Sequence, residues 1–493
     1  MNRKISMSPQ CVDELLGSVG ADEENDSRLL EFYFKGTAYE QLRSPYAYHI
    51  VIGRKGTGKT ALLRLVGLED EAKGRLVVDM SFSRSAEVVN VPVDYNEAIL
   101  FWKNMFEREL VGALKRRVSL IDLPTSGFQN CDTWRDLSFV LQGALSNNPI
   151  ATRKGIQDDV LVEMLLAAAR MNQLTINIDN LDRAWQSDKR SMCALAALLD
   201  MFRELIAEYR GLRINVALRT DVYYQILSTQ ESMDKLSSAQ VFLEWSLQEI
   251  LALTVKRVIS YAGTVSYDDQ VLLKLPQSNL IKLLSPLIEE RFLGRGAWED
   301  APINKVLLSL VRGRPRDMVN LLRDASRYAH KQCHSRIMTE DLIEVLPKYS
   351  QSCLTEICTE YGGEVQNLKE LLPQVARTRK ENAGRKGESG LFTTSELNAK
   401  LKKVAVNARL YFSGQFHVAT PDDLRNFLFR IGFISGKKVV QGKSKWVTYE
   451  DEWMLGGVHY DKEYDWEIHP AYRFAIGDSA EKLAVMRDFK RQN

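Results

Sequence analysis

Residues 53–60 read Gly53-Arg54-Lys55-Gly56-Thr57-Gly58-Lys59-Thr60, the spacing G-x-x-x-x-G-K-[ST]. This spelling suits one piece of chemistry, the wrapping of a polyphosphate by backbone N–H groups. The glycines let the chain turn inward where a Cβ would block the approach, Lys59 adds a cation, and Thr60 offers a hydroxyl to magnesium. Ala61 continues the helix of residues 60–66, whose positive dipole end faces the same anion. A glycine-rich turn is the bland alternative. The strand-like run His49-Ile50-Val51-Ile52 before the loop and the apolar helix after it favour a nucleotide site.

A second acidic element complements the loop. Leu174-Thr175-Ile176-Asn177-Ile178-Asp179-Asn180-Leu181-Asp182-Arg183 is an apolar strand ending in acids. Ligands of open parallel sheets sit beyond the carboxyl ends of the strands, which predicts Asp179 beside Thr60 in a magnesium shell, against the plainer reading of an acidic turn. Arg219 follows the strand 212–218 at the same sheet edge; it either senses a γ-phosphate or pairs with Asp221 or Asp182. In Gly313-Arg314-Pro315-Arg316-Asp317 the proline suits a first helical turn, and the flanking arginines are candidates to fold back over a nucleotide.

These residues need a scaffold. Strand-like runs at 49–52, 75–79, 174–179, 212–218 and 240–245 alternate with helical periodicity at 96–117 and 188–210. The alternation predicts an α/β fold, a parallel sheet sandwiched by helices over residues 45–246. Residues 119–156, rich in Gly, Pro and Asn, read as an insertion, followed by a helix at 157–171. Residues 247–350 read as a helical lid and 1–44 as an N-terminal docking segment with acids at 22–26 and the aromatics Phe32-Tyr33-Phe34. A C-terminal α+β domain is expected over 351–493. In it a basic linker at 377–390 precedes a helix at 421–432 and two strands near 445–449 and 465–469, a winged-helix-like outline.

Composition limits the partners. With 493 residues, Lys+Arg 66 against Asp+Glu 64 and net charge +2, no global field selects nucleic acid or membrane, so any basic site is local. The six cysteines include no C-x-x-C pair, and His330, Cys333 and His334 read as a helix surface and not a metal site. The N-terminus lacks the apolar core of a signal peptide and no run is long enough to span a bilayer, so a cytoplasmic location is expected.

With these motifs in hand, the chain resembles the AAA+-related branch of P-loop ATPases over about residues 45–350. The Asp-x-Leu-Asp-Arg spelling at 179–183 is similar to the second motif of KAP and STAND NTPases. The Gly-x-Pro-Arg at 313–316 is similar to the lid sensor of origin-recognition ATPases, which carry a winged helix after the lid. Similar spellings occur in bacterial P-loop ATPases often encoded beside anti-phage defence genes. The resemblance implies ATP binding and hydrolysis with Mg²⁺ in a homo-oligomer, with nucleotide between core and lid. Lys59 would contact the β/γ-phosphates, Thr60 and Asp179 would serve magnesium, and Arg219 and Arg316 would occupy sensor positions. A separately encoded effector is expected, because no nuclease, protease, deaminase or NADase residues stand out.

One position departs from the pattern. Asn180 stands where an acid usually polarises the attacking water, so either Asp182 acts through a water or the protein is a slow nucleotide switch. Two alternatives remain beside the regulatory ATPase. One is a DNA-binding ATPase whose C-terminal domain and linker touch phosphates, the linker otherwise being merely solvated. The other is a nucleotide-gated scaffold with little turnover.

Overall fold

Parallel strands need long crossovers, and helices supply them here. The computed structural model describes residues 3–18, 20–81, 91–117, 174–181, 189–209, 211–227, 236, 238–263, 267–294, 298–365, 367–377, 391–412, 418–440, 443–449 and 464–476. The chain divides into two compact units, residues 20–244 and residues 1–19 together with 245–493. It starts in one unit, crosses to the other and returns. The first 44 residues therefore divide: α1 (Pro9–Leu16) belongs with the later part of the chain, and residues 20–44 belong with the sheet.

In the sheet unit, α2 (Asp26–Phe32) and α3 (Thr37–Leu42) precede β1 (Tyr48–Ile52), α4 (Lys59–Ala72), β2 (Leu76–Ser81), α5 (Tyr95–Arg117) and β3 (Leu174–Asp179). Then come α6 (Lys189–Glu208), β4 (Leu212–Leu218), α7 (Thr220–Leu227) and β5 (Gln240–Phe242). The strands form one five-stranded parallel sheet in the order β2-β3-β4-β1-β5. Every residue of β1 is buried, as a central parallel strand covered on both faces requires. Tyr48 donates its hydroxyl to Leu199 O on α6 at 3.2 Å, whereas the next residue, His49, joins a polar row that touches α4 where Asn177 donates to Leu63 O. Successive side chains point to opposite faces, so α4 and α6 cover opposite sides of the sheet. With its phosphate-loop sequence directly after β1, this is a P-loop NTPase α/β core.

Residues 20–44 are strapped to α4 by ion pairs. Lys35 Nζ lies 2.7 Å from Glu69 Oε1, Arg43 NH1 lies 2.6 Å from Asp70 Oδ1, and Asp26 pairs with Arg64. The expected insertion at 119–156, the helix at 157–171, and Asp182 and Arg183 lie outside the described residues.

The second unit continues with α8 (Leu247–Ala262), α9 (Asp269–Lys274), α10 (Gln277–Leu284), β6 (Arg291–Phe292), β7 (Ala301–Pro302), α11 (Ile303–Leu310), α12 (Pro315–Lys331) and α13 (Thr339–Tyr361). Ser246 and Glu249 form a reciprocal capping box on α8. Helix α1 packs on α8 and α12, with Asp13 accepting from Arg323 Nε at 3.1 Å. Helix α13 runs straight through Pro347, so the expected boundary at 350 falls inside a helix. A mid-helix proline costs about 3 kcal/mol. The buried face beyond it, Tyr349, Cys353, Leu354, Ile357 and Tyr361, offsets that cost by packing.

The chain ends in α14 (Leu368–Val375), β8 (Leu391–Thr393), α15 (Thr394–Asn407), α16 (Pro421–Arg430), β9 (Ile434–Val440), β10 (Lys443–Val447), β11 (Asp465–Ile468) and α17 (Pro470–Ile476). The expected ribbon is wider than two strands. β9 pairs antiparallel with both β10 and β11, and β11 pairs with β8, giving the order β10-β9-β11-β8. Linker residues 378–390 lie outside the described residues, and the preceding Arg377 pairs with Glu396 at 2.9 Å.

Candidate nucleotide site

The loop leaves β1 at its carboxyl end, held by Gly53 N–H to Leu218 O at 3.1 Å and Leu243 N–H to Ile52 O at 2.7 Å. A Cβ on Gly53 would stand 2.7 Å from Thr57 Oγ1 and 3.2 Å from Leu243 O, so the first fixed glycine is set by close approach. Gly56 at φ 85° and Gly58 at φ 97° hold the left-handed turns that carry the chain into α4. Thr57 Oγ1 donates to Arg54 O at 2.8 Å, closing the turn.

Lys59 crosses the mouth of this loop. Its ammonium donates to Gly53 O at 2.7 Å and Arg54 O at 3.2 Å, which fixes the cation over the loop's concave side. Lys55 is exposed, Arg54 half-buried, and Thr60 and Ala61 lie in the first turn of α4.

Asp179 arrives from another strand. It ends β3, one strand removed from β1, and its Oδ2 accepts from Thr60 Oγ1 at 2.5 Å. Its Oδ1 accepts from the Asn180 backbone N–H at 2.8 Å, and Asn180 itself takes a left-handed φ of 60°, which its short amide side chain tolerates. A hydroxyl and a carboxylate meeting at one point form a hard oxygen pair. That suits Mg²⁺, which takes one or two protein oxygens together with phosphates and does not need an all-protein cage. Among the described residues no cluster of three or more His, Cys, Asp or Glu could hold a metal ion, and His334 instead pairs with Asp341 at 2.8 Å.

The arginines separate. Arg219 is engaged bidentately with Asp221, Nε to Oδ1 at 3.0 Å and NH2 to Oδ2 at 2.5 Å, the pairing that the sequence left open. Arg314 is buried within 3.8 Å of Glu360. Arg312 is locked on Asp317 and Glu356 at 2.7 and 2.8 Å. Burial opposes both charges of the Arg312–Asp317 pair, but their mutual attraction prevails, raising the guanidinium pKa and lowering the carboxyl pKa. Arg316, at the start of α12, is half-exposed and has no hydrogen-bond or ion-pair partner among the described residues. It belongs to the other unit from the loop.

A polar row behind the loop, buried at its first three members and exposed at Asp79, was not anticipated. His49, Asn215, Asn177 and Asp79 occupy matching register positions on β1, β4, β3 and β2. His49 Nδ1 lies 3.2 Å from Asn215 Oδ1, Asn215 Nδ2 donates to Asn177 Oδ1 at 2.9 Å, and Asn177 Nδ2 donates to Asp79 Oδ1 at 3.0 Å. Burial pushes the His49 imidazole down to about 4, so it is neutral at pH 7. Asp79 reaches the surface on one side yet is hemmed in by protein. That desolvation raises its carboxyl pKa and the Asp179 charge adds to the rise, against Asn177 and Arg64. The signal was in the sequence, as polar residues at alternate positions of an apolar strand.

No protein-family model matches the chain. The transposon gamma-delta 80.3 kDa protein of Escherichia coli K12 is 21% identical over 447 residues, covering 83% of this chain and 60% of that protein. The chain thus spans less than two thirds of that relative's length. Among solved structures, the ORC1 protein of Aeropyrum pernix in complex with DNA aligns over 96% of this chain and 94% of its own, at 15% identity and a TM-score of 0.38. A Walker-type ATPase of Pyrococcus abyssi aligns over 84% and 94%, at 12% identity and 0.38. The RuvB Holliday junction branch migration motor of Thermotoga maritima aligns over 90% and 98%, at 12% identity and 0.32. At these scores the fold assignment rests on the sheet order and the loop. No helix among the described residues is long and apolar enough to cross a membrane.

Proposed function

We propose that the chain binds ATP with Mg²⁺ at residues 53–61 and Asp179 and hydrolyses it as a regulatory or assembly ATPase. The observation that carries the reading is the meeting of Thr60 Oγ1 and Asp179 Oδ2 at 2.5 Å beside a loop spanned by Lys59. Loop glycines bring backbone N–H groups to the phosphates, the α4 dipole favours their charge, and Lys59 supplies a cation to the β/γ oxygens. Magnesium, when bound, neutralises charge developing on the transferred phosphate. Asn180 cannot accept a proton, so Asp182 takes the water-activating role or turnover is slow.

Arg316 is the proposed lid sensor, supported by a guanidinium with no partner among the described residues, and Arg219 a weaker one, because Asp221 already neutralises it. Motif spelling supports a homo-oligomer that controls a separately encoded effector in anti-phage defence. The test is steady-state ATP turnover with mass in solution, with and without ATP·Mg²⁺, for wild type and Asp182→Asn. Turnover that falls sharply in the variant supports an active ATPase using Asp182. Tight binding with negligible turnover in both supports a nucleotide-gated scaffold, and no binding in either removes the reading.

A second reading, DNA binding by the C-terminal α+β domain as a winged-helix-like module, is favoured by one observation. The β9–β10 register sets Lys438 directly opposite Lys445. Two lysines paired in backbone register add positive charge to this ribbon, which suits a phosphate backbone. Duplex DNA binding with a steep salt dependence that flattens in Lys438→Ala/Lys445→Ala supports it, as would flattening on neutralising Arg379, Lys380, Arg385 and Lys386. No binding at low salt removes it.

A further inference from the structure

We infer that Asn177 is a positioning residue for magnesium, holding the Thr60–Asp179 pair through a polar seam between β3 and α4; this rests on the nucleotide reading above. Three residues on one face of β3, at period two, each bond to α4. Thr175 Oγ1 donates to Asp70 Oδ2 at 3.0 Å, Asn177 Nδ2 donates to Leu63 O at 3.3 Å, and Asp179 accepts from Thr60 at 2.5 Å. The other face of β3, Ile176 and Ile178, is apolar and fully buried.

An apolar seam fixes a helix on a sheet by shape alone, without directional bonds. Burying polar groups is tolerated only when they are hydrogen-bonded, so a paired polar seam penalises any change of height or slide that breaks a bond. Asn177 is its hub. Its amide donates to Leu63 O on α4 and Asp79 on β2 and accepts from Asn215 on β4, tying the helix to three adjacent strands while only 3% exposed.

Helix α4 is shaped around this amide. Gly67, in mid-helix, is less favourable than alanine for backbone reasons alone. A Cβ there would stand 3.0 Å from Asn177 Nδ2 and 3.3 Å from Val77 Cγ1, so the glycine admits the close approach. Thr60 lies two turns before Gly67 on the helix, and Asp179 lies two residues beyond Asn177 on the same strand face. A shift of α4 against β3 at the amide therefore displaces one magnesium oxygen relative to the other.

The test uses the full chain and a fluorescent ATP analogue, titrated in EDTA and over a Mg²⁺ series, for wild type, Asn177→Leu and Gly67→Ala. Loss of a partner bonded to a metal ligand costs roughly 10–100-fold in metal affinity, and Asn177, which acts on the pair only through Leu63 and the neighbouring strands, sits at the low end. The expected result is a roughly tenfold higher Mg²⁺ requirement in Asn177→Leu, a smaller shift in the same direction in Gly67→Ala, and nucleotide affinity in EDTA unchanged in both. Gly67→Ala decides alone if Asn177→Leu does not fold. Variants whose melting temperature falls while the Mg²⁺ requirement stays at the wild-type value overturn the inference. Wild type that binds no nucleotide overturns the parent reading, a separate result because it needs no variant.

Discussion

Thr60 and Asp179 are 119 residues apart in sequence and 2.5 Å apart in space, hydroxyl to carboxylate. The parallel order β3-β4-β1 sets the strand carrying Asp179 one place away from the strand that feeds the loop, and α4 packs over β2, β3 and β4. Asp179→Asn keeps the side chain's size and removes its charge. It is expected to weaken Mg²⁺-dependent ATP binding about tenfold or more, about 1.4 kcal/mol, without changing affinity in EDTA. Equal Mg²⁺ dependence in variant and wild type would sink this assignment.

The arginines at 312 and 316, four residues apart, are expected to respond differently to truncation. Arg312 is buried on Asp317, and breaking a buried pair costs about 3–5 kcal/mol, so Arg312→Ala lowers stability sharply in urea unfolding. Arg316→Ala changes stability by less than about 0.5 kcal/mol and lowers ATP turnover. Unfolding and turnover measured on both variants check this; a stable Arg312→Ala or a fully active Arg316→Ala contradicts it.

His49 sets a pH dependence. Its imidazole pKa is about 4 in the fold against 6.5 ordinarily, so between these values the unfolded chain binds the extra proton. Its contribution is fully present above about pH 6.5 and is lost as pH falls toward about 4, at most about 3 kcal/mol. Urea unfolding across this range should give a flatter profile for His49→Gln than for wild type. Identical slopes would show that this histidine does not govern the acid limb.

Much of the core is written locally. The loop's glycines, Lys59 and Thr60 are spelled out in eight consecutive residues, and β1, β3 and β4 are apolar runs that few other structures accommodate. What periodicity could not supply is long-range pairing. Nothing near Arg219 distinguishes Asp221 from Asp182 as its partner, and Asn177 reads as an isolated polar residue until register brings Asn215 and Asp79 beside it. Pro347 would ordinarily stop a helix, yet packing of the face beyond it carries α13 on to Tyr361, past residue 350. The assignment of α1 to the second unit depends on contacts with α8 and α12, more than 200 residues away, that no local pattern encodes.

Calorimetric titration of ATP with Mg²⁺ into wild type and Lys59→Ala probes the nucleotide site proposed at Lys59, Thr60 and Asp179. Wild type is expected to bind one ATP per chain, and the variant, whose ammonium no longer spans the loop, to bind at least about tenfold more weakly. Equal affinity in the two proteins, or no binding by wild type, would contradict it.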